Sequence, residues 1–182
     1  RWKVEWHDEI LMEPQRPGPQ GKGNGHRVDK PVLTVAIPIL NRPHLVKQTR
    51  LRFRHPQIET LFLPDETDEA SIAELEQYRL PYSLAPHAPK YGVPTYASKI
   101  NHALRVSETP FIMYASDDIR PLTGWLERAL SALHDESIGV LGMNDGHWLA
   151  ARGMLATHGI VRRSYVEKYG SASLPDAGPV MY

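Results

Sequence analysis

The sequence predicts an α/β fold, a mostly parallel sheet with helices on both faces, and three observations carry that expectation. From residue 31 onward, apolar runs of strand length alternate with helix-like segments. Two of those runs, residues 32–40 and 138–143, are apolar almost throughout, as in strands buried on both faces. Polar residues collect just after the runs: Asn41, Arg42, Asp65, Asp117, Asp118 and Asn144. In open α/β sheets that edge is where ligands bind.

The elements follow in order. Asn41-Arg42-Pro43 breaks the first run, and residues 44–54 read as a helix. A strand over 58–63 leads through Pro64-Asp65-Glu66-Thr67-Asp68 into a helix over about 66–78, and residues 82–85 fit a short third strand. A loop holding Pro86, Pro89, Gly92 and Pro94 precedes a helix over about 95–106. The strand over 111–115 ends abruptly in two carboxylates, Asp117 and Asp118, before Pro121. Leu122, Trp125, Leu126, Ala129, Leu130 and Leu133 then recur at threes and fours, an amphipathic helix in which Trp125 belongs to the core stripe. Ile160 and Val161 suggest a last strand, and a helix from Ser164 stops at Gly170.

Composition narrows the function classes. The chain has 182 residues, 41% of them hydrophobic, enough for one domain with a real core and too apolar for disorder. Lys and Arg (21) balance Asp and Glu (21), so no strong nucleic-acid footprint is expected. Lys47, Arg50, Arg52 and Arg54 are expected to form a solvated face. No apolar run reaches the roughly 18 residues of a membrane span, and no signal-peptide pattern opens the chain. The absence of cysteine excludes zinc-thiolate sites and disulfides and fits a reducing, cytoplasmic setting. Residues 1–30 divide into an arm bearing Trp2 and Trp6, suited to dock on a partner chain or domain, and a Pro/Gly-rich linker from 13 to 30. The folded domain is expected over 31–182.

A strand that delivers acids to its tip can hold a hard cation beside a phosphate-bearing ligand. The competing reading of Asp117 and Asp118 is an acidic turn. Five segments in order weigh on that choice. Val35-Ala-Ile-Pro-Ile-Leu-Asn-Arg-Pro43 resembles the opening strand of glycosyltransferase family 2 and related GT-A enzymes. Ser98-Lys-Ile-Asn-His-Ala-Leu104 resembles that family's helix with a basic residue and Asn. Met113-Tyr-Ala-Ser-Asp-Asp-Ile-Arg-Pro-Leu-Thr-Gly-Trp-Leu126 is similar to its acidic metal motif and the helix that follows. Ile138-Gly-Val-Leu-Gly-Met-Asn-Asp145 and Ala156-Thr-His-Gly-Ile-Val-Arg-Arg-Ser-Tyr-Val-Glu-Lys-Tyr-Gly170 resemble its next segments. The resemblance runs from residue 32 to 182 and is nearest to a subgroup frequent in phages and bacteria.

The resemblance implies a GT-A, Rossmann-like sheet, cut short on its acceptor side, and inverting transfer of sugar from a nucleotide-sugar donor to a hydroxyl acceptor. It implies Mn2+ or Mg2+ held by Asp118, with Asp117 as second ligand or facing the donor ribose or sugar. The family's first acid is replaced by Ala115 and Ser116. Pro38, Asn41, Arg42, Lys99 and Asn101 match donor-binding positions. Asp65 lies near the family's base-recognising acid, although an ungapped match puts Leu63 there, so Asp65 is either a base contact or a helix N-cap. His158 is either structural or a further metal ligand. Asn144, Asp145 and Trp148 form a loop at the same edge, able to reach sugar or acceptor. No residue matches the general base; Asp145 and Asp176 do not fit its pattern. Two other functions stay open: a non-catalytic nucleotide- or glycan-binding module, and a nucleotidyltransferase, which would need a Gly-rich phosphate loop that Asn41-Arg-Pro-His44 lacks.

Overall fold

The structure, a computed structural model, describes residues 3–7, 30–85, 94–144 and 157–169. Its strands are β1 (Lys3–His7), β2 (Leu33–Ile39), β3 (Ile58–Pro64), β4 (Phe111–Tyr114), β5 (Ile138–Met143) and β6 (His158–Arg162). Its helices are α1 (Pro43–Arg52), α2 (Glu69–Gln77), α3 (Tyr96–Val106), α4 (Trp125–Ala132) and α5 (Arg163–Tyr169).

The six strands form one sheet in the order β1-β5-β6-β4-β2-β3. β2 pairs parallel with β3 and β4, and β1 pairs parallel with β5. β6 alone runs the other way, antiparallel to both β4 and β5. The sheet is therefore the expected mostly parallel one, and β2, β3, β4 and β5 all present their C-terminal ends at one edge. The arm's strand β1 docks on β5 of its own chain. Residues 82–85 fall short of a strand: Tyr82 makes a single bridge to Phe62, with backbone bonds from Phe62 to Pro81 and from Ser83 to Phe62. Pro81 lacks an N–H, which limits how far a ladder could extend there.

Alternation along β2 divides the core between two layers. Leu33, Val35, Ile37 and Ile39 pack with Val46 and Phe53 of the α1 region, Leu75 of α2, and Trp125, Leu126 and Ala129 of α4. On the other face Ala36, with Leu61, Leu63 and Ile112, meets Ile100, Ala103 and Leu104 of α3, and Val166 of α5 packs alongside. Helices thus cover both faces. Phe53 meets Trp125 edge to face at 6.0 Å, which adds about 0.5–1.5 kcal/mol beyond area burial. Trp125 lies in the core stripe, as its helical spacing predicts.

Local chemistry sets the boundaries. Pro43 opens α1, where its fixed φ suits the first turn and its missing N–H costs nothing. Thr95 and Ser98 form a reciprocal capping box on α3, each side chain accepting from the other's backbone N–H at 3.1 and 2.8 Å. α2 begins at Glu69, three residues later than expected, because Asp68 is its N-cap and accepts from Ser71 N at 3.1 Å. Asp65 does not cap this helix. Gly159 permits the close approach of β6 to its neighbours. A Cβ there would lie 2.6 Å from Tyr114 Oη and 2.9 Å from the Leu141 carbonyl oxygen.

Candidate donor and metal site

The site is built on the ends of β2, β3 and β4. Pro38 lies in β2, in register with Leu63 of β3. After β2 the chain turns at Asn41 with φ of 55°, a left-handed conformation that Asn tolerates better than most residues. Its N–H donates to Asp68 Oδ2 at 2.7 Å, so one carboxylate closes the β2 turn and caps α2. Arg42 stands at the N-cap of α1 without capping it by its side chain. Its guanidinium instead crosses to the acidic turn after β4.

There the two adjacent carboxylates part company. Asp117 is buried (side chain 6% exposed), and its Oδ1 accepts from Arg42 Nη1 at 2.9 Å. Burial pushes its pKa above the usual carboxylate value, with Arg42 opposing that shift. Asp118 faces solvent (63% exposed). Its Oδ1 accepts from Ser116 Oγ at 2.6 Å, and that bond holds its pKa below the ordinary value, with Arg42 and His158 adding to the effect. Arg42 Nη1 lies 3.6 Å from Asp118 Oδ2. One acid is locked inward, and the other is ionised and turned outward.

α1 supports this turn from beneath. Thr49 Oγ1 donates to the Asp117 carbonyl at 2.7 Å, and Arg52 Nη1 donates to the carbonyls of Asp117 and Ile119 at 3.2 and 3.4 Å. The basic cluster on α1 is therefore not the uniform solvated face its charges suggested. Arg52 turns toward the acidic turn, Arg50 is half-buried, and Lys47 Nζ sits 5.5 Å over the Tyr78 ring.

The other expected donor residues lie on α3 and past the ends of β3 and β5. Lys99 is buried on α3 (4% exposed); its ammonium donates to the Ile39 carbonyl at 3.1 Å and pairs with Asp65. That pair ties the end of β2 to the end of β3. Asn101, two residues on, is likewise buried, and Asn144 is buried just past β5. Asp145, Trp148, Asp176 and Trp2 lie outside the described residues, as does the side chain of Trp6.

Sequence reasoning missed Asp68, Thr49, Arg52 and Ser116. Asp68 had a readable signal, an acid three residues before Ser71 at the start of a helical pattern. Thr49 and Arg52 share a face of α1 by their i, i+3 spacing, but which face meets the turn is decided by packing.

Among the described residues no group of three or more His, Asp or Glu side chains forms a metal cage. The donor set does fit a divalent ion of the Mg2+ or Mn2+ kind, which takes one or two carboxylates and completes its shell with phosphate oxygens and water. Asp118, ionised and outward, offers the protein's oxygen; Asp117 lies beside it with Oδ1 engaged by Arg42.

No family model matches the chain, and no curated protein matches it. Solved structures do. The chain is similar to the mannosyltransferase PcManGT from Pyrobaculum calidifontis in complex with GDP-Man and Mn2+, with a TM-score of 0.58 and 16% identity over 79% of this chain and 48% of that one. It is similar to TarS of S. aureus, with a TM-score of 0.56 and 16% identity over 75% of this chain and 48% of that one. It is also similar to glucosyl-3-phosphoglycerate synthase from Mycobacterium tuberculosis, solved with Mn2+, UDP-Glc and phosphoglyceric acid, with a TM-score of 0.56 and 12% identity over 74% of this chain and 57% of that one. The chain spans about half the length of these proteins. The likeness establishes the fold: a Rossmann-like GT-A α/β sheet.

Proposed function

We propose that this chain is the donor-binding part of a metal-dependent, inverting glycosyltransferase that transfers sugar from a nucleotide-activated donor to a hydroxyl acceptor. One observation carries the reading. At the C-terminal edge of a GT-A sheet, the turn after β4 presents an ionised, outward carboxylate, Asp118, beside a buried one locked by Arg42. Manganese and nucleotide sugars in two of the similar structures lend the reading support.

In this reading Asp118 holds Mn2+ or Mg2+ against the donor diphosphate. The ion, when bound, neutralises the negative charge that builds on the departing nucleoside diphosphate. Asp117 and Arg42 form the floor of the site, and the pair keeps Asp117 from competing electrostatically with the diphosphate. Pro38 and Asn41 shape the wall toward the nucleoside, Lys99 and Asp65 tie the β2 and β3 ends together, and Asn101 on α3 is a further donor-binding residue. Arg42, half-exposed, has donors left over for a phosphate oxygen or the ribose. We assign no general base among the described residues.

The test is calorimetric titration of UDP and GDP with and without Mn2+. Binding should require the ion, and Asp118→Ala should abolish the Mn2+-dependent part while the protein stays folded by circular dichroism. Unchanged binding in that variant contradicts the reading. Mn2+-dependent binding without transfer or hydrolysis across a panel of nucleotide sugars favours a binding module instead.

A further inference from the structure

His158 lies at the start of β6, one residue before Gly159, which pairs with Tyr114 at the end of β4. The antiparallel ladder therefore sets the imidazole opposite the beginning of the acidic turn, on sheet rather than loop. Its Nε2 lies 3.1 Å from Ser116 Oγ, and its Nδ1 lies 3.0 Å from Thr157 Oγ1. Ser116 Oγ in turn donates to Asp118 Oδ1 at 2.6 Å.

Counting protons fixes the direction of this chain. A hydroxyl has one proton and two lone pairs, and an ionised carboxylate only accepts. Ser116 gives its proton to Asp118, so it accepts from His158, which must carry a proton on Nε2. In the neutral ring Nδ1 then accepts from the Thr157 hydroxyl. Both ring nitrogens are engaged, and the nitrogen nearest the acids is a donor rather than a lone pair open to a cation.

We infer that Ser116 and His158 form a hydrogen-bonded strut that sets the rotamer of Asp118, making them positioning residues for the metal-binding carboxylate and not metal ligands themselves. The inference rests on the proposed role of Asp118. It converts the expectation of His158 as either structural or ligating into a specific task. An exposed aspartate samples several rotamers; one held through Ser116 from a sheet strand presents its second oxygen in one direction. Outer partners of this kind typically change metal affinity by about 10–100-fold when removed.

Two measurements test it. The first is Mn2+ affinity in the presence of UDP or GDP, read from the free-ion electron paramagnetic resonance signal. Ser116→Ala should weaken Mn2+ by about 10–100-fold. Ser116→Thr, which keeps a hydroxyl, and His158→Gln, which keeps an N–H donor, should stay near wild type. Unchanged affinity in Ser116→Ala overturns the inference. So does a loss in His158→Gln as large as in Asp118→Ala, which would make the imidazole a ligand. The second is the His158 tautomer from imidazole 15N shifts in the metal-free protein. The Nε2–H form is expected, and a dominant Nδ1–H form overturns the strut whatever manganese does. Wild-type protein with the Nε2–H tautomer but no nucleotide-linked Mn2+ binding supports the strut and contradicts the proposed function.

Discussion

The two ends of the sheet handle charge differently. At the N-terminal end of β4, Arg162 donates to the carbonyls of Ile138, Leu133 and Asp135 and lies 5.0 Å from the Phe111 ring centre. Arg163 donates to the carbonyls of Leu104, Ser107 and Thr109, closing off the C-terminus of α3. Both guanidiniums donate mainly to backbone carbonyls, several each, so that edge is occupied by contacts within the fold. At the C-terminal end Arg52 and Lys99 also reach carbonyls, but charges pair with one another as well, Lys99 with Asp65 and Arg42 with Asp117, and Asp118 is turned outward. The difference teaches where to look for chemistry. Arginines held only by neutral oxygens fix a fold, whereas a set of paired charges that leaves one carboxylate exposed to solvent is poised for a cation.

The largest effect is expected at the ligand edge's buried pair. Lys99 and Asp65 side chains are 5% and 14% exposed, so Lys99→Met strands a carboxylate in the protein and should cost roughly 3–5 kcal/mol in denaturant unfolding. A loss below about 1 kcal/mol would mean that water reaches Asp65 and the pair is not the tie between β2 and β3 described above. Next comes the opposite edge. Arg163→Ala removes several hydrogen bonds from the end of α3 and should cost about 1–3 kcal/mol, with nucleotide affinity unchanged in the folded protein. A fall in affinity at intact stability would break the separation of the two edges.

The smallest effect concerns pH. His102 on α3 is half-buried with its Nε2 2.7 Å from Ser83 Oγ; burial, with Arg105 nearby, lowers its pKa. A base whose pKa is lowered on folding binds its proton more readily when unfolded. Stability should therefore be flat above about pH 6.5 and decline as pH falls from there toward the folded value. Thermal melts of His102→Gln should lose that part of the decline; identical profiles would show that His102 is solvated.

Much of this arrangement was legible in the sequence, for physical reasons that differ by element. β2 and β5 were readable because strands buried on both faces are apolar throughout, and α4 because its stripe repeats at helical spacing. The placement of Asn41, Arg42, Asp65, Asp117, Asp118 and Asn144 past strand ends followed from those strands. Partner choice was not legible. Adjacent in sequence, Asp117 and Asp118 look equivalent; burial and Arg42, 75 residues away, hold the one, and the Ser116 hydroxyl holds the other. The resemblance places Lys99 at a donor-binding position, and its partners Ile39 and Asp65, brought in from the ends of β2 and β3, have no local sequence signal. Arg162 and Arg163 carried the family resemblance, yet their work is to hold carbonyls, a role with no signature in local sequence. The late start of α2 was a matter of cap choice, Asp68 over Asp65, decided by where Ser71 falls.

The most direct test of the account is a crystal of this chain grown with Mn2+ and UDP or GDP, with anomalous data collected at the manganese edge. The account predicts a peak at coordination distance from Asp118 and from the diphosphate oxygens, with Asp117 still paired to Arg42. A nucleotide bound at the sheet edge with no peak beside Asp118, or with the ion held elsewhere, would contradict it.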